Sequence, residues 1–228
     1  MTATLSMLGL AVSLGGPLVL LLAARNSRFD SLSIAGRLSL WLFALIVFAL
    51  AGYGAGPLWL TRMGVTPFGW SDLVGAVLVV VVSFVGAIGF QLLQRKLGIK
   101  NAEGAKLQQK VYGLSTPRRF FVVVTAAVVE EVLFRGYAIG IGQYVWGSLE
   151  VAFAVSLLVF VVVHFSHGVF QLATVAWIAF FMSLLFVLTN SLFACILAHF
   201  AIDAAGVLLM PWVASRQRSR RAALAQDG

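Results

Sequence analysis

The chain has 228 residues, 61% of them hydrophobic and only 11% charged, with a mean hydropathy of +1.00. A water-soluble domain carries about a quarter charged residues, so the composition excludes an ordinary soluble fold. The net charge is +8, but the basic residues stand in short segments between apolar blocks, which suits a lipid surface and not nucleic acid.

The apolar residues arrive in blocks of roughly 20, long enough to cross ~30 Å of hydrocarbon as a helix. In chain order they predict seven spans, at 2–24, 38–60, 72–93, 119–146, 150–170, 171–190 and 191–212. The first is read as a retained helix and not a cleaved leader, because Thr2–Ala24 opens without Lys or Arg and exceeds a usual leader core. Spans 5 and 6 are divided only by His167-Gly168, and spans 6 and 7 by the polar turn Thr189-Asn190-Ser191. Between spans 3 and 4, the stretch 94–117 contains KNAEGAKLQQKVYG and predicts a short helix at the membrane surface. Cys195 lies inside an apolar run and reads as a small core residue.

Loop charge sets the expected orientation. Arg25, Arg28 and Arg37 follow span 1. Arg95, Lys96, Lys100, Lys106, Lys110, Arg118 and Arg119 fill the longest polar segment, and Arg216, Arg218, Arg220 and Arg221 the tail. With seven spans these three places share one side, which the positive-inside rule makes cytosolic. The expectation is therefore an all-α, polytopic transmembrane helical bundle, N-out and C-in, in a bacterial cytoplasmic membrane. It divides into 1–117 (spans 1–3 and a basic loop), a core at 118–212 and a basic tail at 213–228.

Ionisable side chains inside spans are costly and mark function when present. Spans 1–3 have none in their interiors, whereas spans 4, 5 and 7 carry Glu130, Glu131, Arg135, His164, His199 and Asp203. Glu131 and Arg135 stand i, i+4 with the acid first, the favoured order for an intrahelical pair. Glu130 points about 100° away from them on an ordinary helix. His199 and Asp203 repeat the i, i+4 spacing. At 1.5 Å per residue, Glu130, His164 and His199 lie roughly 10–18 Å from the same face of the membrane, so one polar cavity can hold all three. A Glu–Arg pair alone would serve to fix helix register, and His167, at a presumed turn, is read as interfacial. Six such groups at one depth favour chemistry. Gly136 and Gly140, and Ala194, Ala198, Ala201 and Ala205, provide the small residues that let helices approach closely.

The patterns Glu130-Glu131-x-x-x-Arg135, Phe160-x-x-x-His164 and His199-x-x-x-Asp203, set in EEVLFRGY, FVVVHFSHG and LTNSLFACILAHFAIDAAG, together resemble the CPBP family of CAAX proteases and bacteriocin-processing enzymes. The resemblance covers roughly 118–210; spans 1–3 add only hydrophobicity. It implies a glutamate-dependent intramembrane endopeptidase in which Glu130 matches the base that activates water and His164 its partner. His199 and Asp203 match the pair that steadies the oxyanion, and Glu131 and Arg135 positions that organise the acidic helix. Some members carry Asn where this chain has Asp203; ionised, Asp203 cannot donate, so it is expected to orient His199. Glu130, His164 and His199 are also ordinary zinc ligands, although metal-free catalysis is the expectation.

The substrate would be membrane-associated: a CAAX-type tail, a bacteriocin precursor or a membrane-anchored regulator. Two readings compete with it. One is a non-catalytic immunity or adaptor protein of the same fold. The other is a proton-coupled carrier, against which stands the lack of an inverted repeat.

Overall fold

The computed structural model describes residues 3–25, 30, 32–165, 168–213 and 216, and these form helices and turns without a strand. Helix α1 is Ala3–Arg25, α2 Ile34–Gly54, α3 Trp59–Arg62, α4 Trp70–Lys96 and α5 Ala102–Tyr112. The rod α6 runs over 116–146: an α-helical start (Thr116–Thr125), a π-helical stretch (Ala126–Ile141) and an α-helical end (Gly142–Trp146). Helix α7 is Leu149–Val163, α8 Val169–Thr189, and α9 begins at Leu192 and passes through a π-helical turn at Ala205–Leu209. The chain is an all-α polytopic bundle, with five helices long and apolar enough to cross a membrane. Their outward faces are apolar, as on α4, where Val74, Leu78, Val81, Val85, Ile88 and Leu92 are exposed. In lipid such a face needs no cover.

The seven long helices stand at the seven predicted places, with three corrections. Helix α2 ends at Gly54 and not at 60, because Gly56 takes φ +81° and Pro57 follows it; the chain re-forms a helix only as the short α3. Helix α2 also starts earlier than predicted, since Ser33 caps it by accepting from Gly36 N at 3.0 Å. Helix α7 stops at Val163, well short of 170, before Gly168 at φ +87°. At 15 residues it is ~22 Å long, less than the hydrocarbon thickness. His164 therefore sits at a helix end and not inside a span. His167 lies outside the described residues, as does most of the basic tail. The polar turn at Asn190 matches its prediction: Asn190 is left-handed (φ 47°) and Ser191 caps α9. Cys195 is buried, as a small core residue would be.

Rod α6 is the axis of the fold, buried at every residue from Glu131 to Gly142. The other helices hold it through polar contacts as well as apolar packing. Ser13 of α1 donates to Leu133 O at 2.5 Å, Ser156 of α7 to Phe134 O at 2.8 Å, and Trp41 Nε1 of α2 to Thr125 Oγ1 at 3.1 Å. Tyr137 Oη donates to Ser6 O of α1 at 3.2 Å. A π-helix is normally a single-turn feature found at functional sites. Here the run is long, and two of its carbonyls gain donors from neighbouring helices.

The small-residue pair Gly136 and Gly140 admits a turn, not a long helix. A Cβ on Gly140 would stand 2.1 Å from Arg62 O, and one on Gly136 3.3 Å from Met63 O. We expect Gly140→Ala to lower the unfolding midpoint in detergent by on the order of 5 °C, through backbone overpacking. Gly89→Ala, with nothing within 4 Å of the new methyl, should leave it unchanged; equal melting of the two variants would contradict the close approach.

Candidate active site

The site begins at Glu131, which is fully buried. Its Oε1 accepts from Arg135 Nη1 at 3.0 Å, one turn along α6, and from His199 Nδ1 at 2.6 Å on α9. Arg135 continues the network by donating Nη2–H to Ala179 O on α8 at 3.2 Å, and its guanidinium lies 4.7 Å from the centre of the Phe160 ring on α7. One carboxylate thus ties four helices together. The i, i+4 pair expected from spacing is present; the bond from Glu131 to His199 was not foreseen.

That bond changes the reading of Asp203. The i, i+4 spacing suggested that Asp203 orients His199, but His199 Nε2 lies 3.6 Å from Asp203 Oδ2, beyond hydrogen-bond range. Nδ1 of the same ring is held by Glu131, so the orienting carboxylate is Glu131. Asp203 instead faces a cavity of about 500 Å³.

Glu130 and His164 line that same cavity. Glu130 is half-buried and adjoins Glu131 on the widened π-helical turn. His164 is placed by the end of α7, where its ring nitrogen Nδ1 meets Phe160 O at 2.7 Å and its ring packs on Phe160 at 4.6 Å. Since a carbonyl only accepts, Nδ1 carries a proton. This gives the Phe160-x-x-x-His164 pattern a physical reason: the carbonyl of Phe160 sets the tautomer of His164. The six residues therefore fall into two groups. Glu130, His164 and Asp203 line the cavity, while Glu131, Arg135 and His199 form the network beside it.

Much of the remaining cavity wall comes from outside the motif-bearing segment. Pro17, Leu20 and Leu21 of α1, Arg37 and Leu40 of α2, and Leu107 and Lys110 of α5 contribute to it. Arg37 was counted as a loop charge; it is instead in the first turn of α2 and only 8% exposed. The signal that could have found it is Ser33, a favoured cap that starts the helix four residues before Arg37. Helix α5, predicted from 94–117, stands at the same end, with Tyr112 Oη donating to Gly206 O of α9 at 3.1 Å.

For zinc, the candidate donors were Glu130, His164 and His199. Of these, His199 has its Nδ1 engaged by Glu131, which leaves Nε2 as the nitrogen a metal would meet. Among the described residues no group of three or more His, Cys, Asp or Glu side chains is arranged to hold a metal.

Fold and site define a polytopic helical membrane protein with acidic, basic and imidazole groups gathered among its helices. Residues 113–205 match the family described as type II CAAX prenyl endopeptidase Rce1-like, so this segment is similar to that family. No curated protein and no solved structure matches the chain.

Removing one partner of a buried ion pair costs about 3–5 kcal/mol, mostly because the other charge is stranded. Arg135→Ala should accordingly destabilise the protein more than the double change Glu131→Gln with Arg135→Met, which strands nothing. Thermal unfolding in detergent checks this. A double variant as unstable as the single would mean that the pair matters through shape alone.

Proposed function

We propose that the chain is an intramembrane endopeptidase that hydrolyses a peptide bond near a membrane-associated tail, with Glu130 as the base. The observation that supports this most is the shared cavity of Glu130, His164 and Asp203, beside an imidazole already held by Glu131. A water between Glu130 and His164 Nε2 would give its proton to Glu130 as its oxygen attacks the scissile carbonyl. The tetrahedral oxyanion would form beside His199 and Asp203, and the proton on Glu130 would pass to the leaving amine as the C–N bond breaks. His199, when doubly protonated, donates through Nε2–H while Nδ1–H stays on Glu131. Such pre-set donors are among the largest contributions to acyl-transfer catalysis. Catalysis by Glu130 and His164 without a metal is part of the proposal.

The cavity is lined largely by Leu, Val and Pro, which suits a substrate carrying a lipid. Of the candidate substrates, a prenylated CAAX-type tail fits both this lining and the family. N-out, C-in topology belongs to the same proposal: the cavity sits at the bundle end near Leu32, Lys106 and Lys110, the end that the basic loops would place in the cytosol.

The decisive experiment incubates purified protein with a farnesylated CAAX-type peptide and reads the products by mass. Glu130→Gln should lower the rate by about 10²-fold or more without loss of thermal stability, and normal turnover by this variant would remove Glu130 from the role of base. Asp203→Asn, which keeps the shape and adds a donor, should retain activity, whereas Asp203→Ala should cost on the order of 10²-fold. Full activity in Asp203→Ala would take Asp203 out of the site. A reporter fused after Gly228 should be cytosolic, and an external reporter would reverse the topology.

A further inference from the structure

Arg37 is a buried cation that the hydrolytic chemistry does not use. It is 92% buried, and its Nε has no hydrogen-bond partner. Among the described residues no carboxylate comes within ion-pair distance of it. The carboxylates whose charge reaches it are Glu130, Asp203 and Asp30, the first two of them on the cavity wall that Arg37 shares. A buried guanidinium Nε–H without a hydrogen-bond partner is costly, and an anion entering the cavity would complete it. Lys106 and Lys110, on the α5 side of the same cavity, add further positive charge.

The planar fork of an arginine suits a carboxylate, which it binds through two parallel hydrogen bonds. We infer that Arg37 takes the free α-carboxylate at the C-terminus of the peptide, so that this protease cuts a short, fixed distance from a chain end. This rests on the peptidase reading above and adds a specificity residue to it. A CAAX-type tail ends three residues beyond its prenylated cysteine, and three extended residues span ~10 Å. A cavity of about 500 Å³, with Glu130 and Arg37 both on its walls, has room for such a segment. The carboxylate would thus measure the distance to the scissile bond, while the apolar wall receives the lipid.

An alternative role for Arg37 is to offset the charges of Glu130 and Asp203 through space. That role would affect every substrate alike, which separates the two. The experiment uses the full chain in detergent and two S-farnesylated peptides ending in Cys-Val-Val-Met, one with a free C-terminal acid and one amidated. Wild-type protein should favour the acid by about 10- to 100-fold in kcat/KM, the range expected for a hydrogen bond to a charged group. In Arg37→Gln the ratio of acid to amide should fall to near one, and Arg37→Lys, which keeps a charge without the fork, should hold an intermediate ratio. An equal loss on both peptides, or no preference in the wild type, overturns the assignment. A second arm measures binding of fluorescent versions of both peptides to Glu130→Gln, with and without Arg37→Gln. It reads the acid preference even if no peptide is cut, so failure of the peptidase reading and failure of this inference are distinguishable. Acid and amide binding equally, with phosphatidylglycerol vesicles displacing both, would mean that Arg37 holds a lipid phosphate instead, and would also overturn the assignment.

Discussion

The buried carboxylate of Glu131 is the constraint on which the rest of the site depends. A charge in the apolar interior of a membrane protein is tolerated only when it is paired and hydrogen-bonded. Here a single oxygen, Oε1, receives both the Arg135 guanidinium and the His199 ring. Because Arg135 also reaches Ala179 O and lies over Phe160, satisfying one anion fixes the relative depth of α6, α7, α8 and α9. Sliding any of these helices by one residue would separate at least one of the contacts. The polar cluster is therefore a register device, and it stands beside the cavity that the proposed chemistry would use. The His199 imidazole is positioned by the same atom that locks the bundle.

Two adjacent glutamates meet opposite fates for this reason. Glu131 is sealed among helices, and Glu130, one residue earlier, lines the cavity. An i→i+5 bonding pattern widens the turn on which they sit, and that pattern survives where surrounding groups supply what it loses. Ser13 and Ser156, from α1 and α7, donate to Leu133 and Phe134 carbonyls just downstream. Local irregularity at the centre of the fold is thus supported by polar side chains from helices far away in sequence.

Much of this was legible in the sequence, and what was not has physical causes. Long apolar blocks, loop charges and the turn at Asn190 are local signals, so the places of the seven helices could be read. The Glu131–Arg135 pair could also be read, because its geometry is intrahelical. The Glu131–His199 bond joins residues 68 positions apart, and no periodicity reports such a contact; the nearer acid, Asp203, was preferred on spacing alone. The end of α7 was misplaced because no Lys, Arg, Asp or Glu separates the apolar runs on either side of residues 164–168. The π-helical stretch has no sequence mark, since nothing in its residue types separates it from an α-helix and its geometry is set with its neighbours. Arg37 was visible as a residue but hidden as a role: a charge near a helix start reads as surface until the packing of α1, α2 and α5 shows that it is enclosed.

That last point separates two layers of the protein along the chain. The motif-bearing segment, residues 113–205, matches the family and contains Glu130, Glu131, Arg135, His164, His199 and Asp203. The walls that a substrate would meet come in large part from earlier residues, including Leu20, Leu21, Arg37, Leu40 and Leu107. Hydrolysis of an amide makes the same demands whatever the peptide, so the groups that perform it must keep their types and spacing. Choosing a peptide requires only a cavity of suitable shape with a charge in the right place, which many sequences can supply. A family match carried by residues 113–205 alone fits this division of labour. On the proposed reading, the core residues would decide what bond is broken, and the N-terminal helices with α5 would decide whose.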